Sequence, residues 1–166
     1  ASGRAFGRFQ RLLGDYPAHT LHETIPHFHD TEDRLRKLKE AVAADKLGRA
    51  AECRAEIDFV LAREADCSVA LSAMREGRIP LRVTHNDTKL NNVLMDRETG
   101  EGMCIIDLDT VMPGLAINDF GDSIRFGANH SAEDETDLTK VNLDVTLFAA
   151  YTAAFLEGAQ GSLTDA

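Results

Sequence analysis

Thr84-His-Asn-Asp-Thr-Lys-Leu-Asn-Asn-Val-Leu-Met-Asp96 passes from a polar loop into an apolar, strand-forming run without a break. Val93-Leu-Met-Asp96 and Met103-Cys-Ile-Ile-Asp107 flank the polar turn Arg97 to Gly102, the pattern of a short antiparallel hairpin. With that turn centred between Asp96 and Met103, Asn92 is expected to face Asp107, and directly opposed residues lie about 4.5–5.5 Å apart. A slip of one residue would break this pairing. Upstream, Ile79-Pro-Leu-Arg-Val-Thr84 is β-branched and led by Pro, so it reads as extended. Downstream, the turn Pro113-Gly114 leads into a predicted helix over Phe120 to Ala128. A last amphipathic helix is expected over Val141 to Leu156, ending near Gly158.

Further toward the N-terminus, Pro17, Pro26 and the histidines between them mark an irregular segment from Asp15 to Asp30. From Thr31 the pattern turns helical, because Leu35, Leu38 and Val42 recur at three- and four-residue steps among charges. Asp30 or Thr31 suits the N-cap, and Gly48 suits a break. A longer helix is predicted from Arg49 to Arg75 on Ile57, Val60, Leu61, Val69, Leu71 and Met74, with Gly77 as its stop. Periodicity leaves room for a short interruption near Asp66. The sum is an α+β arrangement, mostly helical, with one small antiparallel hairpin.

A length of 166 residues fits one domain, and 43% hydrophobic with 28% charged residues is a globular balance. The net charge of −10 argues against a nucleic-acid binder, which would present dense Lys and Arg. No apolar run approaches the roughly 18 residues of a membrane span. Ala1 to Gln10 has no signal-peptide pattern. Cys53, Cys67 and Cys104 are odd in number and unpatterned, which suggests reduced thiols in a cytoplasmic protein rather than a disulfide framework or a zinc knuckle. The opening Ala-Ser-Gly without Met, and the close at Ser162-Leu-Thr-Asp-Ala166, lead us to expect a piece cut from a longer protein.

Asp87 and Asn92 bracket Lys89, and this spacing suits phosphoryl transfer from ATP. That reaction needs a carboxylate to orient and deprotonate a hydroxyl, together with oxygen ligands for Mg²⁺. Asp87 fits the first role. Asn92 fits the second if another ligand converges on it, and the hairpin is expected to deliver Asp107. Taken singly, each feature has a plainer reading. A His-x-Asp is commonly a solvated turn, an Asn-Asn pair a turn former, and an Asp ending a hairpin a structural acid. The conjunction of three polar groups in this order and spacing favours a site. In a strand Asp109 shares a face with Asp107, so it reads equally as a second metal or substrate ligand and as a solvated or capping acid.

His85-Asn-Asp-Thr-Lys-Leu-Asn-Asn92 resembles the His-x-Asp-x-x-x-x-Asn catalytic loop of protein kinases and aminoglycoside phosphotransferases. Ile105-Ile-Asp-Leu-Asp109 looks like the metal-binding segment of the phosphotransferases. Pro113 to Arg125, with Asn118-Asp-Phe-Gly-Asp122, resembles their following helix start. The wording of Thr84 to Asn92, of Asp107-Leu-Asp-Thr-Val-Met-Pro-Gly114 and of Ile25-Pro-His-Phe-His-Asp-Thr31 is most similar to the N-acetylhexosamine 1-kinase branch. The resemblance runs from about Tyr16 to Thr164.

The resemblance implies Asp87 as catalytic base, Lys89 beside the transferring phosphoryl, and Asn92 and Asp107 as metal ligands. It also implies structural support of the catalytic loop by His85 and Asp119. ATP and Mg²⁺ are the implied cofactors. The implied acceptor is the anomeric hydroxyl of N-acetylglucosamine or N-acetylgalactosamine, with neither nucleic acid nor membrane as partner. A Gly-rich phosphate loop and a strand Lys paired to a helical Glu are missing from the pattern. Residues 1–166 are therefore expected to be the C-terminal lobe of a two-lobed kinase, inactive alone. Other acceptors stay open: choline, homoserine, or a cationic aminoglycoside that an acidic surface would suit. A silent pseudokinase is the reading from another class, but it would have lost Asp87, Asn92 or Asp107.

Asp119-Phe-Gly121 spells the protein-kinase metal motif. It follows a Pro-Gly turn, however, and an Asp at a helix start reads more simply as a cap. His22-Glu-Thr-Ile-Pro-His27 has the wrong spacing and an internal Pro for a zinc-protease helix. His27 and His29 reach a sugar hydroxyl on the branch reading, and are surface or core groups on the plainer one. Arg125 suits an anionic group, or more simply a local ion pair with Asp122. The acids Glu133 to Asp137 read as a solvated loop. Asn86-Asp-Thr88 and Asn129-His-Ser131 match the glycosylation acceptor by chance, given no secretion signal.

Overall fold

A computed structural model describes residues 1–164. In chain order its elements are α1 (Ser2–Leu12), α2 (Thr31–Ala44), α3 (Arg54–Leu61), α4 (Val69–Arg75), β1 (Arg82–Thr84), β2 (Val93–Met95), β3 (Gly102–Ile105), β4 (Met112–Gly114), α5 (Ala116–Gly127) and α6 (Val145–Ala159). They fall into two compact units, one comprising Ala1–Ile25 with the chain from Pro80 onward, the other Pro26–Ile79.

The first unit is organised by α1 against α6; α1 is absent from the elements expected above, although Ala5, Phe6, Phe9, Leu12 and Leu13 recur at helical spacing among Arg4, Arg8 and Arg11. The buried stripe of α1 is Ser2, Gly3, Phe6, Gly7 and Gln10, so helical spacing is kept with a single large apolar side chain. Small residues let the two backbones approach closely. A Cβ on Gly7 would lie 2.0 Å from the Phe155 carbonyl oxygen, and one on Gly158 2.3 Å from that of Arg4. Neither obstacle is a side chain that could rotate away. Gly7→Ala is therefore expected to destabilise the protein by about 1–3 kcal/mol or more through helix separation, read as a lowered urea midpoint. The core at this seam is Phe6, Val93 and Phe155, with Ile105, Phe120 and Tyr151 packed against it.

Among the described residues four short strands make two antiparallel pairs, β1 with β4 and β2 with β3, rather than the single hairpin expected. The hairpin itself exists, but its register corrects the expectation. Val93 faces Ile105 and Leu94 faces Cys104. Met95 then faces Gly102, because an irregularity between Leu94 and Met95 leaves Met103 without a partner. The turn is closed tightly: Asp96 N–H donates to the Glu101 carbonyl (2.8 Å), and the Asp96 carboxylate accepts from the N–H groups of Glu98 and Thr99. The ladder continues with Ile106 N–H donating to the Asn92 carbonyl (2.9 Å), so Asn92 sits opposite Ile106 and not Asp107.

Both later helices also start elsewhere than expected. α5 begins at Ala116, which puts Asp119 in its first turn. α6 begins at Val145 because the Asp144 carboxylate caps it, accepting from Thr146 and Leu147 N–H. Arg82 is a strut within this unit: it donates to the Gln10 backbone carbonyl (2.8 Å), the Gln10 side chain (3.2 Å) and the Ser162 carbonyl (2.8 Å).

In the second unit, α2 begins where the sequence placed it, with Asp30 as N-cap accepting from Asp33 N–H (2.9 Å). The expected long helix from Arg49 to Arg75 is broken. Asp45 lies in the left-handed region and its carboxylate accepts from Ala50 N–H (3.0 Å), which holds the chain in turns until α3. A 3₁₀ segment, Glu64–Ser68, then separates α3 from α4. Arg63 sits at this break, its guanidinium donating to the Phe59 carbonyl (2.9 Å) and lying 3.5 Å from the ring centroid. Leu38, Val42, Leu47, Ala50, Cys53 and Ile57 line a groove of about 690 Å³ in this unit. Among the described residues no helix is long and apolar enough to cross a membrane.

Candidate active site

The loop His85–Asn92 leaves the end of β1 and is held from two sides. From below, the first turn of α5 supplies Asp119, buried to 1% exposure. Its carboxylate accepts from His85 N–H (2.9 Å), Asn86 N–H (2.8 Å) and the Gln10 amide (2.8 Å). Burial pushes the Asp119 carboxyl up, while these donors pull it back toward the ionised form. One turn on, the Asp122 carboxylate accepts from Thr88 N–H (2.8 Å), and the Thr88 hydroxyl donates to the Asp119 carbonyl (2.6 Å).

From the side, the segment after β3 closes on the same loop. The Thr110 hydroxyl donates to the His85 carbonyl (2.7 Å), and the Asn86 amide to the Thr110 carbonyl (2.9 Å). His85 is fully buried, with its Nε2 3.0 Å from the Ile106 carbonyl, its Nδ1 accepting from Asp87 N–H (3.3 Å), and Phe6 and Phe9 edge-on to its ring. A bond to a carbonyl requires the proton on Nε2, which leaves Nδ1 as the acceptor, so the contacts agree on one tautomer.

These supports leave Asp87 half-buried at the loop's crest. The Asn92 amide nitrogen donates to the Asp87 carbonyl (2.8 Å) and to its Oδ2 (3.0 Å), while the Lys89 ammonium lies 3.4 Å from Oδ1. Asp87 raises the Lys89 pKa, so that ammonium stays charged. With both Asn92 amide protons committed to Asp87, its Oδ1 is left as the atom that can meet a cation.

Asp107 does not reach this place as a strand residue. It stands past the end of β3 with φ 63°, a left-handed conformation that Asp tolerates, and Asp109 follows within a 3₁₀ turn, Leu108–Thr110. The expected sharing of a strand face therefore does not apply. The two carboxyls meet all the same, since a hydrogen bond to Asp109 and its charge raise the Asp107 pKa, with Asp87 adding to the rise. The charges of Asp109 and Asp87 both act on Asp107, and a cation there would relieve that repulsion. Among the described residues no three His, Cys, Asp or Glu side chains form a ready-made metal cage.

A family model described as the phosphotransferase enzyme family matches residues 1–158. The chain belongs to that family. Kinases of the phosphotransferase family use ATP and generally Mg²⁺, which implies a nucleotide and a small-molecule substrate. The fold agrees at the same level, as mixed helix and small antiparallel sheets consistent with part of a kinase-like fold.

Arg125 is held by Asp122 (2.8 Å) and by Glu133 (2.9 Å). His29 belongs to the second compact unit, where its ring packs at a tilt on Phe28, 4.5 Å between centroids. Sequence reasoning missed Gln10, whose amide reaches Asp119 from a helix absent from the expected elements. It also missed Glu133, which was read as part of a solvated loop but lies 3.7 Å from the Lys89 ammonium. Nothing local in the sequence marks either residue.

Proposed function

We propose that this chain is the catalytic and metal-binding C-terminal lobe of an intracellular two-lobed kinase. Its reaction is transfer of the ATP γ-phosphoryl to the anomeric hydroxyl of an N-acetylhexosamine. The observation that carries the chemistry is the immobilised Asp87, fixed by Asn92 and faced by Lys89 on a loop anchored to buried Asp119. The sugar rests on the wording of residues 84–92, 107–114 and 25–31, which is most similar to the N-acetylhexosamine 1-kinase branch.

Asp87 orients the acceptor hydroxyl and takes its proton as the acceptor oxygen bonds to the γ-phosphorus and ADP departs. Lys89 offsets charge on the transferring group and lies 3.4 Å from the Asp87 carboxylate. Asn92 Oδ1 and Asp107 would hold Mg²⁺, with Asp109 as a further oxygen donor; bound there, Mg²⁺ supplies positive charge against the phosphate oxygens. His85 and Asp119 hold the loop's backbone and touch no reacting atom.

Asn92→Ala and Asp107→Ala are each expected to raise the Mg²⁺ concentration for half-maximal activity by on the order of 10-fold or more. Their double mutant should fall well short of the product of the two effects, because both serve one site. Fully multiplicative effects would separate the two residues.

The acceptor is tested by following ADP release from the intact protein with N-acetylglucosamine, N-acetylgalactosamine, kanamycin, choline and homoserine. An anomeric phosphate is acid-labile where an ordinary alkyl phosphate is not, so brief acid treatment of the product identifies the position. Turnover confined to another acceptor would remove the sugar and leave the phosphotransferase. ADP release with none of them would count against the proposed acceptor class as a whole.

A further inference from the structure

Glu133 lies on the connection between α5 and α6, at the edge of the candidate active site. One of its carboxylate oxygens is 2.9 Å from Arg125 Nη1 and the other 3.7 Å from Lys89 Nζ. The two cations come from separate elements, the catalytic loop and the last turn of α5, and Glu133 is the group that joins them. Left alone they repel: the Arg125 charge works to lower the Lys89 pKa, against Asp87 and Glu133. Each is already anchored on its far side, Lys89 by Asp87 (3.4 Å) and Arg125 by Asp122 (2.8 Å), so their geometry does not depend on Glu133.

We propose that Lys89 and Arg125 form a seat for a phosphate oxyanion, and that the Glu133 carboxylate fills this seat until the terminal phosphoryl of the nucleotide displaces it. The identification of the oxyanion rests on the phosphotransferase reading above; the seat rests on the geometry. A carboxylate and a phosphoryl oxygen offer the same acceptor to a guanidinium and an ammonium, which is why one stands in for the other.

Displacement is easy for two reasons. The Glu133 side chain is 44% exposed, and an ion pair this open contributes little. Rotation of the side chain alone vacates the seat, because the loop is closed at its base by other contacts. Asp144 N–H donates to the Ala128 carbonyl (2.7 Å), and His130 pairs with the Asp144 carboxylate (2.7 Å). The resident carboxylate also gives the seat a function when empty, since it screens two cations that would otherwise attract stray anions to the base.

The test compares the intact protein with Glu133→Gln by calorimetric titration of ADP–Mg²⁺ and of AMP-PNP–Mg²⁺, which differ at the terminal phosphoryl. Removing a competing exposed ion pair is expected to tighten AMP-PNP about two- to five-fold and leave ADP unchanged. Equal tightening of both nucleotides would mean a general charge effect and overturn the seat. Weaker AMP-PNP binding would overturn it too, by making Glu133 a support of the cations rather than their occupant. An unchanged ratio with normal ADP binding sinks the seat alone. Failure of both proteins to bind either nucleotide sinks the kinase reading and the seat with it.

Discussion

Asp87→Asn in the intact protein is expected to lower kcat by roughly 10²–10⁴-fold while nucleotide affinity stays near the parent value. The substitution keeps the size of the side chain and an oxygen that can still accept from the Asn92 amide, now 3.0 Å from Oδ2. What it removes is the basic oxygen that receives the acceptor proton in the proposed mechanism. Loop geometry should persist, because the backbone of His85, Asn86 and Thr88 is fixed by Asp119 and Asp122 rather than by Asp87. Loss therefore belongs to the chemical step and should appear in kcat more than in nucleotide Kd. A variant that retains most of its kcat would take Asp87 out of the mechanism.

Asp119→Ala is expected to act on stability first. Its carboxylate satisfies two backbone N–H groups and the Gln10 amide in a fully buried place, and Ala leaves those donors without partners. Each orphaned donor costs about 1–3 kcal/mol, so a total on the order of 3–5 kcal/mol is expected after partial relaxation. Asp119→Asn should fall between, since its amide oxygen still accepts but its NH₂ faces another donor. Urea unfolding of the three proteins gives the stabilities, and Mg²⁺ titration of activity separates the alternatives. Stability within about 0.5 kcal/mol of the parent, with a raised Mg²⁺ requirement instead, would return Asp119 to the metal site that its Asp-Phe-Gly context spells.

Asp87 and Asp119 divide the labour around one loop. Asp87 is half-buried and meets other side chains through Asn92 and Lys89, whereas Asp119 is buried and meets mainly backbone donors. Burial fits the second residue for holding and unfits it for exchange with substrate. The same contrast separates His85, closed in by Phe6 and Phe9, from Asp107 and Asp109 on the exposed edge.

What the sequence determined by itself is local in origin. The cap at Asp30 follows from one side chain reaching a backbone N–H three residues on. The hairpin follows from two β-prone runs about a polar turn, and the nearness of Asp87, Lys89 and Asn92 from their places on one short loop. What only the tertiary structure decided depends on partners distant in the chain. The hairpin register shifted because Met103 lost its partner, an outcome of packing that alternation does not encode. Asp107 came to the site's edge through a left-handed backbone turn, not through strand pairing. Helix α1 was legible in Phe6, Phe9, Leu12 and Leu13 set against Arg4, Arg8 and Arg11, but its close approach to α6 through Gly3, Gly7 and Gly158 is a steric fit that periodicity does not encode. Gln10 reaches Asp119 and Glu133 reaches Lys89 from far along the chain, and a contact made across sequence leaves no trace in the spacing of either residue's neighbours.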